Sequence, residues 1–451
     1  MASNRGEFSS SLGFIMAAAG SAIGLGNIWG FPAQTAQNGG AAFVLVYLVL
    51  AFIIGYPLLM AEFIIGRHSR SNPVGAYSSI KGGKPFIPAG YYGIFIVGII
   101  MSFYLIIAGW MVAYTVEPVF KFIGMEEAAT WVTTDGLIRN ILFTTIFYLM
   151  TIGIITGGVK AGIEKWSTRL MPALLVMMLL LIVYVLTLEG ASEGLKAYLL
   201  PDFSKITDPN LIFSALGQSF FSLSLGVGTM LVYGSYIADK ENLVKLGVFV
   251  TLADIGIAFF AGLLIIPAMY VAAHNGTVIY DDHGVLISGP NLIFQVLPEL
   301  FNSMETWGVL VSFVFFLLMV IAAITSSISM LEVPVSFAVD NKNMGRTKST
   351  WLIGGFFWLV SIVIIFNFEA LFGNVVTFTT EYSQPLLGLV ICIFIGWVMN
   401  RNSVLEELKK GNPDIENSFF MKVWPFFVRF IAPILIFAVF IYPLVKDRIG
   451  L

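Results

Sequence analysis

Ala19-Gly20-Ser21-Ala22-Ile23-Gly24-Leu25-Gly26-Asn27 stands in the middle of a long apolar stretch. Roughly 200 residues later Phe221-Ser222-Leu223-Ser224-Leu225-Gly226-Val227-Gly228 interrupts a second apolar stretch in the same way. Each stretch is long enough to cross a bilayer, and inside hydrocarbon a backbone N–H or C=O cannot go unsatisfied. A helix broken at such a depth survives only where protein, ions or a ligand take up the freed groups. Two breaks at matching places in two halves of a chain point to a transporter's binding site.

Composition agrees with a polytopic membrane protein. Of 451 residues 58% are hydrophobic and 11% charged, with mean hydropathy +0.89, against about 25% charged in an average soluble domain. The net charge of -3 offers no basic surface for nucleic acid. The single cysteine, Cys392, rules out an intrachain disulfide, and His68, His274 and His283 lack metal-ligand spacing. The polar start Met1 to Ser11 runs into apolar sequence with no small-residue cleavage site, so the first helix is expected to act as the insertion signal. Gly190-Ala191-Ser192-Glu193-Gly194 matches a hydrolase pattern but lies in a loop between spans, Gly24-Leu25-Gly26 lacks the strand of a dinucleotide site, and no Walker lysine motif is present. Enzymatic chemistry is not expected.

Eleven apolar runs are long enough to span, near 12–37, 41–66, 89–123, 137–156, 166–188, 211–238, 243–272, 305–339, 350–367, 375–399 and 423–445. Lys and Arg fall in alternate loops, at Arg5, Arg67 to Lys84, Lys160 to Arg169, Lys240 and Lys245, Lys342 to Lys348, and Arg401 to Lys410. That side is expected to be cytoplasmic, with the N-terminus inside and, after an odd number of crossings, the C-terminus outside the cell membrane. Runs one to five (about 12–188) and six to ten (about 211–399) each begin with an interrupted helix, so the reading is a single all-α transporter domain over 1–451. It has a 5+5 inverted repeat and one extra helix near 423–445.

The breaks carry their own chemistry. Free N–H groups at Leu25 and Gly26 suit an anion, and the carbonyls of Gly20, Ala22 and Ile23 suit a cation. Asp254 lies among Leu252, Ala253, Ile255 and Ile257, and an ionised group at that depth marks an ion path or a counter-ion. With Asn27 and Ser222 it would offer the hard oxygens a hard cation prefers. Thr325-Ser326-Ser327 sets three hydroxyls in another apolar run, and Tyr104 in a third brings a phenol.

With these residues together, the chain resembles the neurotransmitter:sodium symporter family, in its prokaryotic eleven-helix amino-acid transporter branch. The resemblance rests on AAAGSAIGLGNIW with Phe31-Pro32 and Gln37 to Phe43, on GQSFFSLSLGVG at Gly217 to Gly228, and on ITSS at Ile324 to Ser327. It implies a leucine-transporter-type fold and two sodium sites. The first would use the Ala22 carbonyl, Asn27, Ser222, Asp254 and the substrate's carboxylate. The second would use the carbonyls of Gly20, Ile23 and Ala322 with the hydroxyls of Thr325 and Ser326. It also implies that the substrate carboxylate meets the Leu25 and Gly26 amides and Tyr104, and its ammonium the carbonyls of Ala22, Phe221 and Ser222. Ile100, Phe221, Ser224, Val227, Ser326 and Met330 would wall the side-chain pocket, which favours a hydrophobic amino acid. Gly24, where monoamine carriers hold an aspartate, favours a substrate with its own carboxylate, and Asp254, where chloride-dependent members are uncharged, implies no chloride requirement.

The resemblance further implies an inner gate of Arg5, Phe8, Tyr236 and Asp340, and a fifth helix that unwinds between Gly162 and Pro172. At the outer gate the family's arginine is replaced by Gly30 and its aspartate aligns with Val376, near Glu381. Closure there would fall to Tyr104 and Phe221. The implied function is sodium-coupled symport of an amino acid by alternating access, with sodium, the amino-acid substrate and the lipid bilayer as partners and no nucleic acid. The alternatives are a transporter-like sensor or channel that binds an amino acid, and a symporter for another small carboxylate-bearing amine.

Overall fold

The computed structural model describes residues 6–279 and 292–449. It is 84% helical, and no strand occurs among the described residues. We name the membrane-crossing elements α1 (Ser11–Ala22), α2 (Gly26–Gln37), α3 (Ala41–Ser69), α4 (Lys84–Phe122), α5 (Leu137–Ile155) and α6 (Val159–Leu186). They continue as α7 (Pro209–Ser222), α8 (Thr229–Gly234), α9 (Leu243–His274), α10 (Trp307–Lys342), α11 (Arg346–Phe366), α12 (Phe368–Val398) and α13 (Phe419–Val445).

The first expected span is two helices, α1 and α2, bent by 54° at the glycine-rich break. The sixth is α7 and α8, separated by residues 223–228 and too short in either half to cross alone. Local chemistry sets their ends. Ser10 caps α1 by accepting from the Gly13 amide at 3.0 Å, and Asp208 followed by Pro209 opens α7, its carboxylate accepting from the Asn210 amide at 2.9 Å. At the second break Ser224, Gly226 and Gly228 have φ of 53°, 89° and 82°, left-handed backbone that ends a helix outright.

Burial sorts the helices into centre and rim. In their most apolar stretches α4 is 78% and α10 72% buried, whereas α6 is 33% and α13 17%. The exposed faces of the rim helices carry side chains such as Leu180, Val183 and Ile434, which only lipid would cover at low cost. The broken pairs are inside this ring: α1 packs on α6, α9 and α10, α7 on α3, and α8 on α3. Gly66 allows the last of these contacts, because a Cβ there would stand 2.0 Å from the Leu231 carbonyl. Among the described residues nine long apolar helices and the two broken pairs make the eleven expected crossings of a leucine-transporter-type fold.

Candidate functional site

The first break meets the second at a buried carboxylate. Asp254, on α9 and fully buried, accepts from Asn27 Nδ2 at 2.7 Å and from the Ser222 hydroxyl at 2.9 Å. Asn27 Nδ2 also lies 2.9 Å from Ser222 Oγ and 3.1 Å from the Asp254 carbonyl, and Tyr47 of α3 donates to Ser222 Oγ at 3.1 Å. Asn27, Ser222 and Asp254 of the expected set are therefore brought together, and Ala22 is buried at the end of α1. Among the described residues no Lys, Arg or His pairs with Asp254, so its neighbours are all neutral. A charge left in that position costs several kcal/mol unless a cation joins it, on the order estimated for unpaired buried ions. A cation here would require the Asn27 amide to turn over and offer Oδ1, which now accepts from the Gly24 amide at 3.3 Å.

The second expected oxygen cluster also forms. Ser326 Oγ on α10 lies 3.3 Å from each of the Gly20, Ser21 and Ile23 carbonyls at the end of α1. Thr325 Oγ1 is 2.9 Å from the Ala322 carbonyl, and a Cβ on Gly20 would touch the Thr325 Cβ at 3.0 Å. Gly24 is equally constrained, since a Cβ there would come within 2.5 Å of Ser326 Oγ and 2.9 Å of the Tyr104 hydroxyl.

Between the clusters the Leu25 and Gly26 amides make no backbone hydrogen bond. The Tyr104 hydroxyl is buried beside the Leu25 amide and Ser326 without a well-formed hydrogen bond of its own. Leu25, Tyr104 and Phe221 form part of the lining of a cavity of 620 Å³ that also takes in Gly30, Gln218, Phe372, Val376, Thr380 and Glu381. Ile100, Val227 and Met330 are buried and off this open cavity. Ser224, expected in the side-chain pocket, donates its hydroxyl to the Ser21 carbonyl at 3.1 Å and so ties one break to the other.

Sequence reading passes over Glu62. It is a fully buried carboxylate on α3 whose Oε1 accepts from the Gly226 amide at 2.7 Å and whose Oε2 accepts from the Leu231 amide at 3.0 Å. It satisfies the backbone that the second break frees. The signal was present, a charged residue in an apolar run, as for Asp254. Gln218 and Gln384 do similar work, donating to the Gly26 carbonyl at 2.7 Å and the Leu225 carbonyl at 2.9 Å.

At the opposite end the molecule is closed. Phe8 is buried against Phe14, Tyr233 and Tyr236, and its amide donates to the Tyr236 carbonyl at 3.1 Å. Ser9 donates through its amide at 2.9 Å and its hydroxyl at 2.5 Å to Glu164, two residues beyond Gly162. Asp340 accepts from Asn72 Nδ2 at 3.1 Å, while Arg5 lies outside the described residues. Residues Val159–Glu164, Gly162 among them, form a π-helical turn, and Lys165–Leu186 is α-helical through Pro172.

The Sodium:neurotransmitter symporter family matches residues 5–139 and 132–449. The sodium-dependent transporter YhdH of Bacillus subtilis is 33% identical, covering 96% of this chain and 97% of its own, and the sodium-dependent transporter MJ1319 of Methanocaldococcus jannaschii is 30% identical over 96% and 89%. The crystal structure of MhsT in complex with L-phenylalanine superposes with a TM-score of 0.84 at 36% identity, over 97% of this chain and 99% of that one. The chain belongs to the sodium:neurotransmitter symporter family, a family of membrane transporters rather than enzymes, and is a sodium-dependent symporter.

Proposed function

We propose that the chain imports a hydrophobic amino acid together with two sodium ions, by alternating access across the cell membrane. The observation that carries this reading is Asp254, a buried carboxylate with only neutral partners at the junction of two broken helices. The first ion would be held by Asp254, Ser222, Asn27 Oδ1 and the Ala22 carbonyl. The second would be held by the carbonyls of Gly20, Ile23 and Ala322 with Thr325 and Ser326. Sodium would supply positive charge that a substrate carboxylate can share. The Leu25 and Gly26 amides and the Tyr104 hydroxyl would orient that carboxylate. Because ion and substrate would then share oxygens, each binds better with the other present, and that mutual gain is the coupling.

The neutral, largely apolar surroundings of Ile100, Phe221, Val227 and Met330 support a hydrophobic side chain, and MhsT, similar along nearly its whole length, binds phenylalanine. A fixed negative charge at Asp254 supports transport without chloride. The basic loops support an N-terminus in the cytoplasm and a C-terminus outside. The repeats proposed at about 12–188 and 211–399, with the extra helix at 423–445, act as one transport unit. The test is binding of radiolabelled phenylalanine, leucine and tryptophan to purified protein in sodium and in potassium, followed by uptake into proteoliposomes in chloride and in gluconate. Binding that is indifferent to the cation overturns the mechanism. Uptake that collapses in gluconate overturns the chloride claim alone.

A further inference from the structure

A second cavity, of 350 Å³, lies apart from the helix breaks. Its walls come from one end of α4 with Tyr114, Glu117 and Lys121, from the short helix Glu126–Thr133, from the segment Leu292–Ser303, and from Ser312 of α10. The polar groups facing it are unbalanced. Lys121, the only Lys or Arg among the lining residues, is already committed to Glu117 at 2.5 Å and to Asn302 Oδ1 at 2.9 Å. Glu299 is exposed and makes no ion pair among the described residues, and Gln295 and the second Glu117 oxygen add further acceptors.

Ser312 points to a ligand independently. Helix serines ordinarily bond back to a carbonyl three or four residues earlier, as Ser327, Ser329 and Ser336 of the same helix do. Ser312 is 6% exposed, lines the cavity and makes no such bond. Phe294 and Tyr114 supply aromatic wall, their rings 5.1 Å apart. The Arg139 guanidinium stands 5.9 Å from the centroids of Tyr114 and of Trp110, which is outside the lining, so Phe294 is the aromatic wall without a cation of its own among the described residues. Among the described residues no group of three metal-ligating side chains forms, which speaks against a divalent metal.

We propose that this cavity is a second binding site, separate from the transport site, for the primary ammonium group of a small organic cation. Glu299 supplies the charge, Ser312 Oγ and the Glu117 carboxylate shared with Lys121 accept N–H groups, and Phe294 covers the alkyl portion. The inference does not depend on which amino acid is transported. The experiment uses the purified full-length protein at constant sodium and ionic strength, titrated with butylammonium chloride and, as a cation without N–H donors, tetramethylammonium chloride. The readout is melting temperature. Butylammonium is expected to stabilise saturably and tetramethylammonium at least tenfold more weakly. Glu299→Gln is expected to raise the apparent Kd about tenfold and Ser312→Ala about fivefold, the sizes typical of losing a charged and a neutral hydrogen bond. Both changes are small and should leave the melting temperature without amine as in the wild type. Glu381→Gln, in the larger cavity, should leave the titration unchanged. The proposal fails if butylammonium gives no saturable shift, if Glu299→Gln and Ser312→Ala titrate like the wild type, or if Glu381→Gln abolishes the response.

Discussion

Tyr104 and Glu62 show how differently a buried polar group behaves with and without a partner. The Tyr104 hydroxyl is enclosed and lacks a well-formed hydrogen bond, a costly arrangement for a protein that uses it for nothing. Tyr104→Phe removes that cost, so without substrate the variant should melt at or slightly above the wild-type temperature. Amino-acid binding should weaken roughly five- to tenfold, about 1 to 1.4 kcal/mol. A drop in stability without substrate would contradict the assignment, and equilibrium binding with thermal melts measures both. Glu62 is the converse case, with each oxygen taken by a backbone amide that the second break exposes. In Glu62→Gln one oxygen becomes an NH₂ facing an N–H, so about 2 to 3 kcal/mol should be lost, visible as a lower melting temperature. The sequence singled out the first of these residues, whereas the second showed only as a charge in an apolar run, with nothing to say what it holds. Tyr104 and Asp254 stand out once the glycine-rich breaks define a site. Glu62 sits outside both breaks, and its role depends on a contact between helices about 165 residues apart.

Among the elements, the long helices were legible because about 20 apolar residues admit few other fates in a bilayer. Their ends were less so. The sixth run was read as 211–238 with its interruption at Phe221 to Gly228, and the break falls there, between α7 ending at Ser222 and α8 beginning at Thr229, but α8 ends at Gly234, four residues short of the reading. The surface helices Glu126–Thr133, Ala191–Leu199 and Arg401–Lys409 left little trace. They are too short to be stable alone and exist through docking. Arg401–Lys409 shows how that docking works. Glu407 receives Arg67 Nε at 2.6 Å and Lys410 at 3.0 Å, with His68 at 3.5 Å. Burial disfavours its charge, but hydrogen bonds from His68 and Lys410 and the Arg67 guanidinium outweigh that and hold the carboxyl down at about 2. A carboxyl held below its unfolded value stabilises the fold above the unfolded value and ceases to do so as pH falls through the folded one. Glu407→Gln should therefore melt well below the wild type at pH 7, and the gap should narrow as pH is lowered from about 4.5 toward 2. A gap that stays constant over that range would mean that the Glu407 charge does not dock this helix.

At the scale of the whole molecule the two ends of the proposed transport path are in opposite conditions. One end opens through the 620 Å³ cavity, with Gly30 and Val376 in its wall where a charged pair would otherwise be expected, and Tyr104 and Phe221 among its lining. The other end is sealed by Phe8 among three aromatic rings and by Ser9 on Glu164. Nothing charged need be broken to close the open end, so aromatic packing over a bound substrate is sufficient, and closure should require that substrate. Thr380, in the cavity wall, reports on this directly. Cys392 is fully buried, so a cysteine placed at 380 would be the accessible thiol in an otherwise silent background. In intact cells a membrane-impermeant thiol reagent should label Thr380→Cys readily in potassium, and sodium alone should keep it reactive. Adding the transported amino acid with sodium should slow labelling severalfold, with no slowing when the amino acid is added in potassium. Labelling seen only after permeabilisation would reverse the orientation assigned from the basic loops. Labelling insensitive to sodium and substrate together would mean that this cavity is not the entrance to the site at the helix breaks.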